Sequence, residues 1–388
     1  MIEIRRVELE DLHQFTYLMA QAFQRGSKEG IGEPSDWPQA TIWGAWDGGK
    51  LRSAVTIEHY QVYLGDKVVA PMGGIAGVAC LPADRGRGYA KTLLLRSLET
   101  MRENGQYISA LFPFSWDYYR QFGWEWVGVK KEYTIPTSVL QIAPDTVMVR
   151  AASEEDFPAI RNIYEQFSKR YRGMVQRDDR MWKSVLQSRD NKYTYSYIFE
   201  DETQPGGYLV YRHEDGDTTS LREFIALTPQ AMKAQLGLLH RLAMQIPNVR
   251  IKAASDDTLW MHRMHWDIQT KLSPVTMGRV TDVKVAFQSW TPNPSYSGRV
   301  TFLVRDVHAP WNDGVWQAQY ENGECVIEKS AETPDVEMDI QTLSQMYWGA
   351  PTAPELRSGG RIVVNNEKGF RALEELTQGP PMCLFDSF

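Results

Sequence analysis

Hydrophobic and polar positions along the first third of the chain change period several times, which predicts alternating strands and helices. Residues 2–7 fit a strand, and residues 12–23 place apolar side chains along one side of a helix. Turn sequences rich in glycine and aspartate separate the runs that follow. These runs predict an antiparallel sheet over residues 41–46, 51–63 and 68–81.

Glycines and arginines, in the stretch 85–88, stand between the last of these strands and a helix predicted from Lys91 to Asn104. The start of a helix has unpaired backbone N–H groups and a partial positive charge, and glycines let an anion approach the backbone. The stretch therefore predicts a site for the phosphates of a coenzyme, although ordinary helices also begin with such residues. A strand over 106–112 and a short helix capped by Gly123 are predicted next.

The second third of the chain begins like the first. Arg150 and Asp156 follow Arg5 and Asp11 at the same offset of 145 residues, within similar strand and helix patterns. This repeat favours an internal duplication over chance. The second unit has no glycine and arginine loop, because residues 224–231 pass directly from a strand to a Thr-Pro helix start. We therefore expect it not to bind coenzyme.

Composition narrows the class of protein. The 43% of hydrophobic residues indicates a globular chain, and the absence of a long apolar run or a leader predicts a cytoplasmic protein without a membrane partner. The net charge of −7 argues against nucleic acid as a partner. We interpret this charge as a contribution to solubility and not as the mark of a binding site. Three scattered cysteines predict neither disulfides nor zinc.

The segment 85–90, Arg-Gly-Arg-Gly-Tyr-Ala, matches the Arg/Gln-x-x-Gly-x-Gly/Ala signature of the GCN5-related N-acetyltransferases (GNAT). From about residue 280 the pattern changes again and resembles a sterol-carrier-protein-like domain. With this layout and its terminal Phe388, the whole chain resembles the enhanced-intracellular-survival (Eis) family. The resemblance implies a mixed α/β (α+β) chain of three domains: a catalytic GNAT domain over 1–145, a non-catalytic GNAT-like domain over 146–280 and a sterol-carrier-like domain over 281–388.

The resemblance also implies the chemistry, which is transfer of an acetyl group from acetyl-CoA to an amine in a ternary complex, without a metal. The pantetheine arm would pair with a strand edge, and the pyrophosphate would lie in the loop. The implied coenzyme residues are Val78, Ala79, Cys80, Arg85, Gly86, Arg87, Gly88, Tyr89 and Ala90.

Proton transfer is assigned by the same resemblance. Tyr119, three residues before the Phe122-Gly123 pair, would be the general acid, with Tyr118 as a neighbour that could be confused with it. The chain-terminal carboxylate, carried by Phe388, would be the base. Without the resemblance, both tyrosines would be interpreted as packing residues and the terminus as a frayed tail.

The acceptors implied are amino groups of cationic small molecules of the aminoglycoside or polyamine kind, and the implied assembly is a homo-hexamer. Candidate substrate residues are Glu33, Asp36, Trp37 and Asp386. Two alternatives stay open, namely acetylation of protein lysines and a lipid-binding or scaffolding role of the third domain.

Two further candidates are weaker. His262 and His265 could share a helix face, but no third ligand is apparent, so a metal site is not predicted. Cys80 lies in an apolar strand, where a buried packing role is expected rather than a nucleophile.

Overall fold

The computed structural model of the protein describes residues 2–23, 40–140, 148–187, 193–200, 204–213 and 216–388. Among the described residues of the first part of the chain, the α-helices are α1 Leu12–Ala22, α2 Tyr89–Glu103 and α3 Trp116–Arg120. Its strands are β1 Glu3–Arg6, β2 Ala40–Asp47, β3 Lys50–Leu64, β4 Val69–Cys80, β5 Ile108–Leu111 and β6 Glu125–Trp126.

The middle part repeats the alternation of strands and helices. Its strands are β7 Val129–Pro136, β8 Met148–Ala151, β9 Arg172–Val175, β10 Thr194–Glu200, β11 Pro205–Arg212, β12 Thr218–Ala226, β13 Asn248–Ala253, β14 Gln269–Pro274 and β15 Met277–Val280. Its helices are α4 Phe157–Ser168, α5 Asp179–Leu186, α6 Pro229–Arg241 and α7 Leu259–His262.

The last part forms a smaller α+β unit. Its strands are β16 Gly298–Arg305, β17 Gly314–Glu321, β18 Glu324–Lys329, β19 Val336–Asp339 and β20 Val363–Val364. Its helices are α8 Val283–Ser289, α9 Ile340–Trp348, α10 Ala353–Ser358 and α11 Glu367–Thr377. Asp339 caps the start of α9, because its carboxylate accepts a hydrogen bond from the backbone N–H of Thr342 at 2.8 Å.

The described strands form three sheets. The first has the order β1-β2-β3-β4-β5-β15-β6, with β9 paired to β3; the second is β14-β7-β13-β12-β11-β10-β8; and the third is β18-β17-β16-β19-β20. None of the helices in these described parts of the chain is long and apolar enough to cross a membrane.

The sheets do not follow the predicted boundaries at residues 145 and 280. Strand β7 precedes residue 145 but pairs with β13 and β14 in the second sheet. Strand β15 ends at residue 280, within the predicted second domain. It nevertheless inserts between β5 and β6 in the first sheet. Both Met277 and Val280 of β15 are fully buried, so this short strand covers the edge that β5 would otherwise expose. The domain boundaries at residues 145 and 280 therefore stay a prediction. Each of the two large sheets contains a strand from the other side of a predicted boundary, β7 in the second sheet and β15 in the first.

The two large units share a local motif at the predicted repeat. Arg5 donates two hydrogen bonds to Asp11, at 2.6 and 3.0 Å, and Arg150 donates two to Asp156, at 2.8 and 2.7 Å. In both units the aspartate also closes a capping box at the turn that leads into the first helix of the unit. The matching geometry supports the internal duplication.

Candidate active site

Strands β4 and β5 run side by side for only four residues and then separate. Their parallel pairing extends from Met72 to Ile75 of β4, where Ile75 lies opposite Leu111, the last residue of β5. Strand β4 continues to Cys80, and it stays paired on its other side with β3. Beyond Ile75 the side of β4 that faces β5 therefore offers backbone N–H and C=O groups to an added extended chain.

A bulge at Gly77 shapes this open edge. The pairing of β3 with β4 shifts between Ala54 and Thr56, and Gly77 has φ +54°. A glycine in the left-handed region is the usual way to place an extra residue in an antiparallel ladder. The bulge sets which side chains of the strand end face outward: Val78 and Cys80 line a cavity, whereas Ala79 is buried.

The loop after β4 leaves the start of α2 uncapped. Gly86 and Gly88 have φ +81° and +84°, and Gly88 occupies the N-cap position of α2, where no side chain satisfies the helix N–H groups. A Cβ built on either glycine would meet open space, so both glycines are required by the backbone angles and not by crowding. An uncapped helix start facing open space is suited to an anion.

Asp84 holds the loop from inside. Its carboxylate is buried and pairs with Arg52 of β3 at 3.3 Å and with Arg87 at 3.2 Å. The Arg87 side chain is otherwise 60% exposed. These ion pairs tie the loop to the sheet, so the positions of its glycines are set before any ligand binds.

A cavity of about 630 Å³ lies at this place, and we call it the loop cavity. Its volume lies within the range of small-molecule sites. It contains seven of the nine residues predicted to bind coenzyme, all except Ala79 and Arg87. Its lining also includes residues that were not predicted to bind coenzyme: Ala22, Phe23, Asp84, Lys91, Phe114 and Tyr118. Lys91 could have been found from the sequence, since it stands in the first turn of α2, whereas Ala22 and Phe23 come from the distant end of α1.

The two neighbouring tyrosines of α3 occupy different places. Tyr118 is half-buried and lines the loop cavity, whereas Tyr119 is buried and does not belong to that lining. Their rings touch edge to face with centroids 5.3 Å apart, and each also packs against Phe114. Burial raises the pKa of both hydroxyls, so both are proton donors and not phenolates near neutral pH.

The Phe122-Gly123 pair after α3 is held from outside the first unit. Arg279 of β15 donates to the carbonyl oxygen of Phe122 and fills the space where a side chain at Gly123 would lie. The same guanidinium makes two bonds to buried Asp306 of the third unit, at 2.9 and 2.7 Å. The tyrosine helix is therefore positioned by contacts that no local sequence pattern reveals.

The C-terminal residue lies where β4 and β5 separate. The ring of Phe388 packs against Tyr60 of β3 and against Phe112, with centroids 5.0 and 5.2 Å away. A Cβ on Gly74 would come within 2.9 Å of the same ring. The last side chain of the sequence therefore packs on the first sheet, and the role of its carboxylate stays a prediction.

Buried contacts hold the tail that carries Phe388. Backbone bonds join Cys383 and Pro381 to Arg172 of β9, at 2.9 and 3.0 Å. Asp386 accepts from Nε of Arg177 at 3.0 Å and from the hydroxyl of Tyr164 at 3.1 Å. A frayed tail is therefore the wrong interpretation for this terminus. Asp386 was predicted as a substrate residue, but the structure engages its carboxylate in this anchor.

Other predicted residues have simpler outcomes. Glu33, Asp36 and Trp37 lie outside the described residues. Burial raises the pKa of the Cys80 thiol, which disfavours the nucleophilic thiolate. In the described ranges, no three His, Cys, Asp or Glu side chains group closely enough to hold a metal ion.

Comparison with known proteins identifies the class. Residues 3–127 and 173–280 match acetyltransferase (GNAT) domains, and residues 283–384 match a sterol carrier protein domain. The chain is thus an acyltransferase with two GNAT domains followed by a sterol carrier protein domain, in a mixed α/β fold, as predicted.

Particular relatives agree with this class. The chain is 22% identical over 339 residues to an uncharacterized N-acetyltransferase of Streptomyces avermitilis, covering 82% of each. Its fold is similar to a GCN5-related N-acetyltransferase from Anabaena variabilis, with TM-score 0.90, 22% identity and full coverage of both chains. It is also similar to Eis1 from Mycobacterium abscessus, with TM-score 0.80, 19% identity and full coverage of both chains.

Proposed function

We propose that this protein transfers the acetyl group of acetyl-CoA to an amino group of a small molecule, by direct attack in a ternary complex. The observation that carries the proposal is a convergence at one place of the first sheet. The open edge of β4 begins where β4 leaves β5, beside the ring of Phe388. It ends at Val78 and Cys80, which line the loop cavity together with Gly88 at the uncapped start of α2.

The residues of the loop cavity fit the parts of acetyl-CoA. The backbone of Val78 and Cys80 would pair with the pantetheine arm as an added strand. The N–H groups after Gly86 and Gly88, with the charge of Arg85, would hold the pyrophosphate. Arg87 would contribute through its charge, because its side chain is mostly exposed beside Asp84.

Acetyl transfer forms one bond and breaks another. The neutral amine nitrogen attacks the thioester carbon, a C–N bond forms, and the C–S bond breaks. One proton must leave the ammonium before attack or during it, and the departing sulfur must gain one proton. The protein therefore needs a proton donor near the sulfur and an acceptor near the amine.

For the donor we propose Tyr119, with Tyr118 as the second candidate. Tyr119 keeps its predicted position before Phe122-Gly123, and its buried hydroxyl stays protonated. Tyr118 has one advantage, because its side chain lines the loop cavity beside Cys80.

For the proton acceptor we propose the chain-terminal carboxylate of Phe388. An α-carboxylate has an ordinary pKa of about 3.3–3.7, so it is a weak base and would also act by stabilising the ammonium form beside it. The support is positional, since the ring of the same residue packs on Gly74 and Phe112 at the divergence of the strands.

A lipid-carrying role for the third domain receives less support, because bulky buried side chains fill its interior. Phe287, Phe302, Tyr347 and Trp348 are between 0% and 2% exposed, and Phe287 packs against both Phe302 and Tyr347. Acetylation of a protein lysine would use the same chemistry and differ only in the acceptor.

Calorimetry with acetyl-CoA, followed by thiol release with small amines, tests the proposed function. We expect one acetyl-CoA per chain, bound more weakly as salt is raised, and thiol release that depends on an amine. Lipid binding without acetyl-CoA binding would instead support a lipid-carrying role of the third domain. Turnover of lysine peptides, without turnover of small amines, would indicate that the acceptor is a protein lysine.

The predicted class of cationic acceptors receives no support from the described residues. Three of its four candidate residues lie outside them, and Asp386 pairs with Arg177. The homo-hexamer is also proposed from the resemblance. Large exposed side chains such as Met261 and Trp266, which are 84% and 99% exposed, support association with further copies. Light scattering tests the hexamer, and a cytoplasmic location stays a prediction.

A further inference from the structure

A second large cavity lies beside the C-terminal tail, and its lining is basic. This cavity, here called the tail cavity, has a volume of about 590 Å³. Its charged lining residues are Arg177, Arg180, Arg222, Lys252, Glu223 and Asp386. Four cations and two carboxylates leave a formal charge of +2, in a protein whose net charge is −7.

The tail cavity borders the proposed site of transfer. Tyr60 lines it and also packs against the ring of Phe388. Ser387 lines it and also lines a smaller cavity of about 250 Å³, which Phe112 closes on the side of Phe388. An acceptor in the tail cavity would thus lie next to the residue that carries the proposed proton acceptor.

Both carboxylates of the tail cavity pair with a single arginine. Arg177 is almost fully buried and binds both carboxylates, with its Nε to Asp386 at 3.0 Å and its Nη2 to Glu223 at 2.9 Å. Its third nitrogen, Nη1, is buried without a hydrogen-bond partner among the described residues. The two carboxylates of the lining are therefore engaged with Arg177.

Lys252 is the cation best placed to meet a ligand. It is half-buried and lines both the tail cavity and the smaller one, and within the described ranges it makes no ion pair. Burial lowers its pKa, and so do nearby Lys130 and Arg222, while the carboxylates of Glu223 and Asp386 act in the opposite direction. Glu58, which accepts a hydrogen bond from Tyr60, adds one negative charge near the cavity without belonging to its lining.

We propose that the acceptor amine also carries an anionic group, a carboxylate or a phosphate, and that the tail cavity binds this group beside Lys252. The inference rests on the proposed acetyl transfer. The ammonium end of the acceptor would face the carboxylate of Phe388, and the anionic end would face the cations of the tail cavity. A polycation would meet like charges there, which selects against it.

A matched series of acceptors tests the proposal on the full-length enzyme. The amines 6-aminohexanoate, hexylamine and 1,6-diaminohexane differ only in the group at the far end, which is negative, absent or positive. Glucosamine 6-phosphate and glucosamine test phosphate in place of carboxylate. We expect kcat/KM, measured by thiol release, to be at least tenfold higher for the anionic member of a series.

Substitution of the lysine separates its charge from its packing. Lys252→Met should lower kcat/KM for the anionic acceptor about tenfold and leave hexylamine within twofold, since one charge-assisted hydrogen bond is lost. Lys252→Arg should restore the preference. Lys271→Met, at an exposed position of β14, is the matched control and should change neither acceptor.

The outcomes distinguish this inference from the proposed function. Failure to bind acetyl-CoA overturns both. If acetyl-CoA binds, calorimetry of each acceptor with the CoA-loaded enzyme repeats the comparison without turnover. Equal or weaker binding of the anionic members, including no measurable binding, overturns the anionic acceptor alone, as would equal effects of Lys252→Met on charged and neutral amines.

Discussion

The two GNAT domains begin alike and differ at the start of one helix. Both carry the same arginine and aspartate pair ahead of their first helix, Arg5 with Asp11 and Arg150 with Asp156. In the first domain, Gly88 leaves the N-terminus of α2 uncapped. In the second, the hydroxyl of Thr228 accepts the N–H of Ala231 at 3.1 Å and caps α6.

This difference fits the proposal that the second domain keeps the fold of the first without its coenzyme site. A threonine cap followed by proline satisfies the helix within the chain, so the anion site is closed while the helix gains stability. An uncapped glycine leaves the same N–H groups to a ligand, at the cost of local stability. We therefore propose that the same position serves ligand binding in the first domain and helix stability in the second.

The largest expected effect comes from the tyrosine helix of the first domain. Tyr119→Phe should lower kcat about a thousandfold, because a general acid contributes roughly 10²–10⁴. Calorimetry should show unchanged acetyl-CoA affinity. Tyr118→Phe is the matched control; if it shows the larger loss, Tyr118 is the donor and the assignment of Tyr119 is wrong.

The ring of Phe388 packs on Tyr60 and Phe112 of the first domain, so moving the end of the chain tests the asymmetry next. One glycine added after Phe388 keeps the ring and shifts the carboxylate, and we expect kcat to fall about 100-fold through loss of the positioned base. Phe388→Ala keeps a terminal carboxylate and serves as the comparison for lost packing. Full turnover by the extended chain, with an unchanged melting temperature, would remove the terminal carboxylate from the mechanism.

A substitution at the N-cap position of α2 tests directly whether the uncapped helix start binds the coenzyme. Gly88→Val should weaken acetyl-CoA binding at least about tenfold, because a left-handed conformation costs a β-branched residue roughly 1–2 kcal/mol or more and its side chain enters the ligand space. Titration calorimetry measures the loss. Unchanged affinity in this variant would show that the loop does not hold the phosphates.

A substitution at the corresponding N-cap position of the second domain should change stability and leave coenzyme binding unchanged. Thr228→Ala removes the cap of α6 and should lower the free energy of unfolding by about 1 kcal/mol. Denaturant unfolding measures it, with acetyl-CoA affinity and turnover expected to stay at wild-type values. A changed acetyl-CoA stoichiometry would mean that the second domain also binds coenzyme.

The smallest expected effect is on the pH dependence of stability, and it comes from the arginine and aspartate pair that both domains contain. The guanidinium of Arg5 holds the pKa of Asp11 below its ordinary value of 3.8, and Arg150 does the same for Asp156. A carboxyl group with a lowered folded pKa stabilises the protein above its unfolded pKa, and this stabilisation is lost as pH falls through the folded value.

Unfolding measured between pH 5 and about pH 2 should therefore show falling stability below about pH 4. Asp11→Asn and Asp156→Asn should each flatten this fall by a similar, modest amount. A response confined to one of the two variants would show that the repeated pair is not equivalent in the two domains.

Much of the fold was predictable because it depends on local pattern. The helix that starts after the glycine and arginine loop and the capping aspartates Asp11 and Asp156 each follow from residues within a few positions of one another. The sequence did not predict features that depend on contacts between residues far apart in the chain. The inserted strand β15 has no sequence signal for its place between β5 and β6, because pairing of strands far apart in the chain depends on which edge remains to be covered.

The candidate site divides in the same way. A short motif in the sequence predicted the phosphate loop, whereas the tyrosine pair and Phe388 were assigned by the resemblance to the Eis family. The tertiary structure alone decided that Tyr118 lines the loop cavity, that Asp386 is held by Arg177, and that a basic cavity borders the tail. Charge and burial at a site are sums over residues that meet only after folding, so no stretch of sequence contains them.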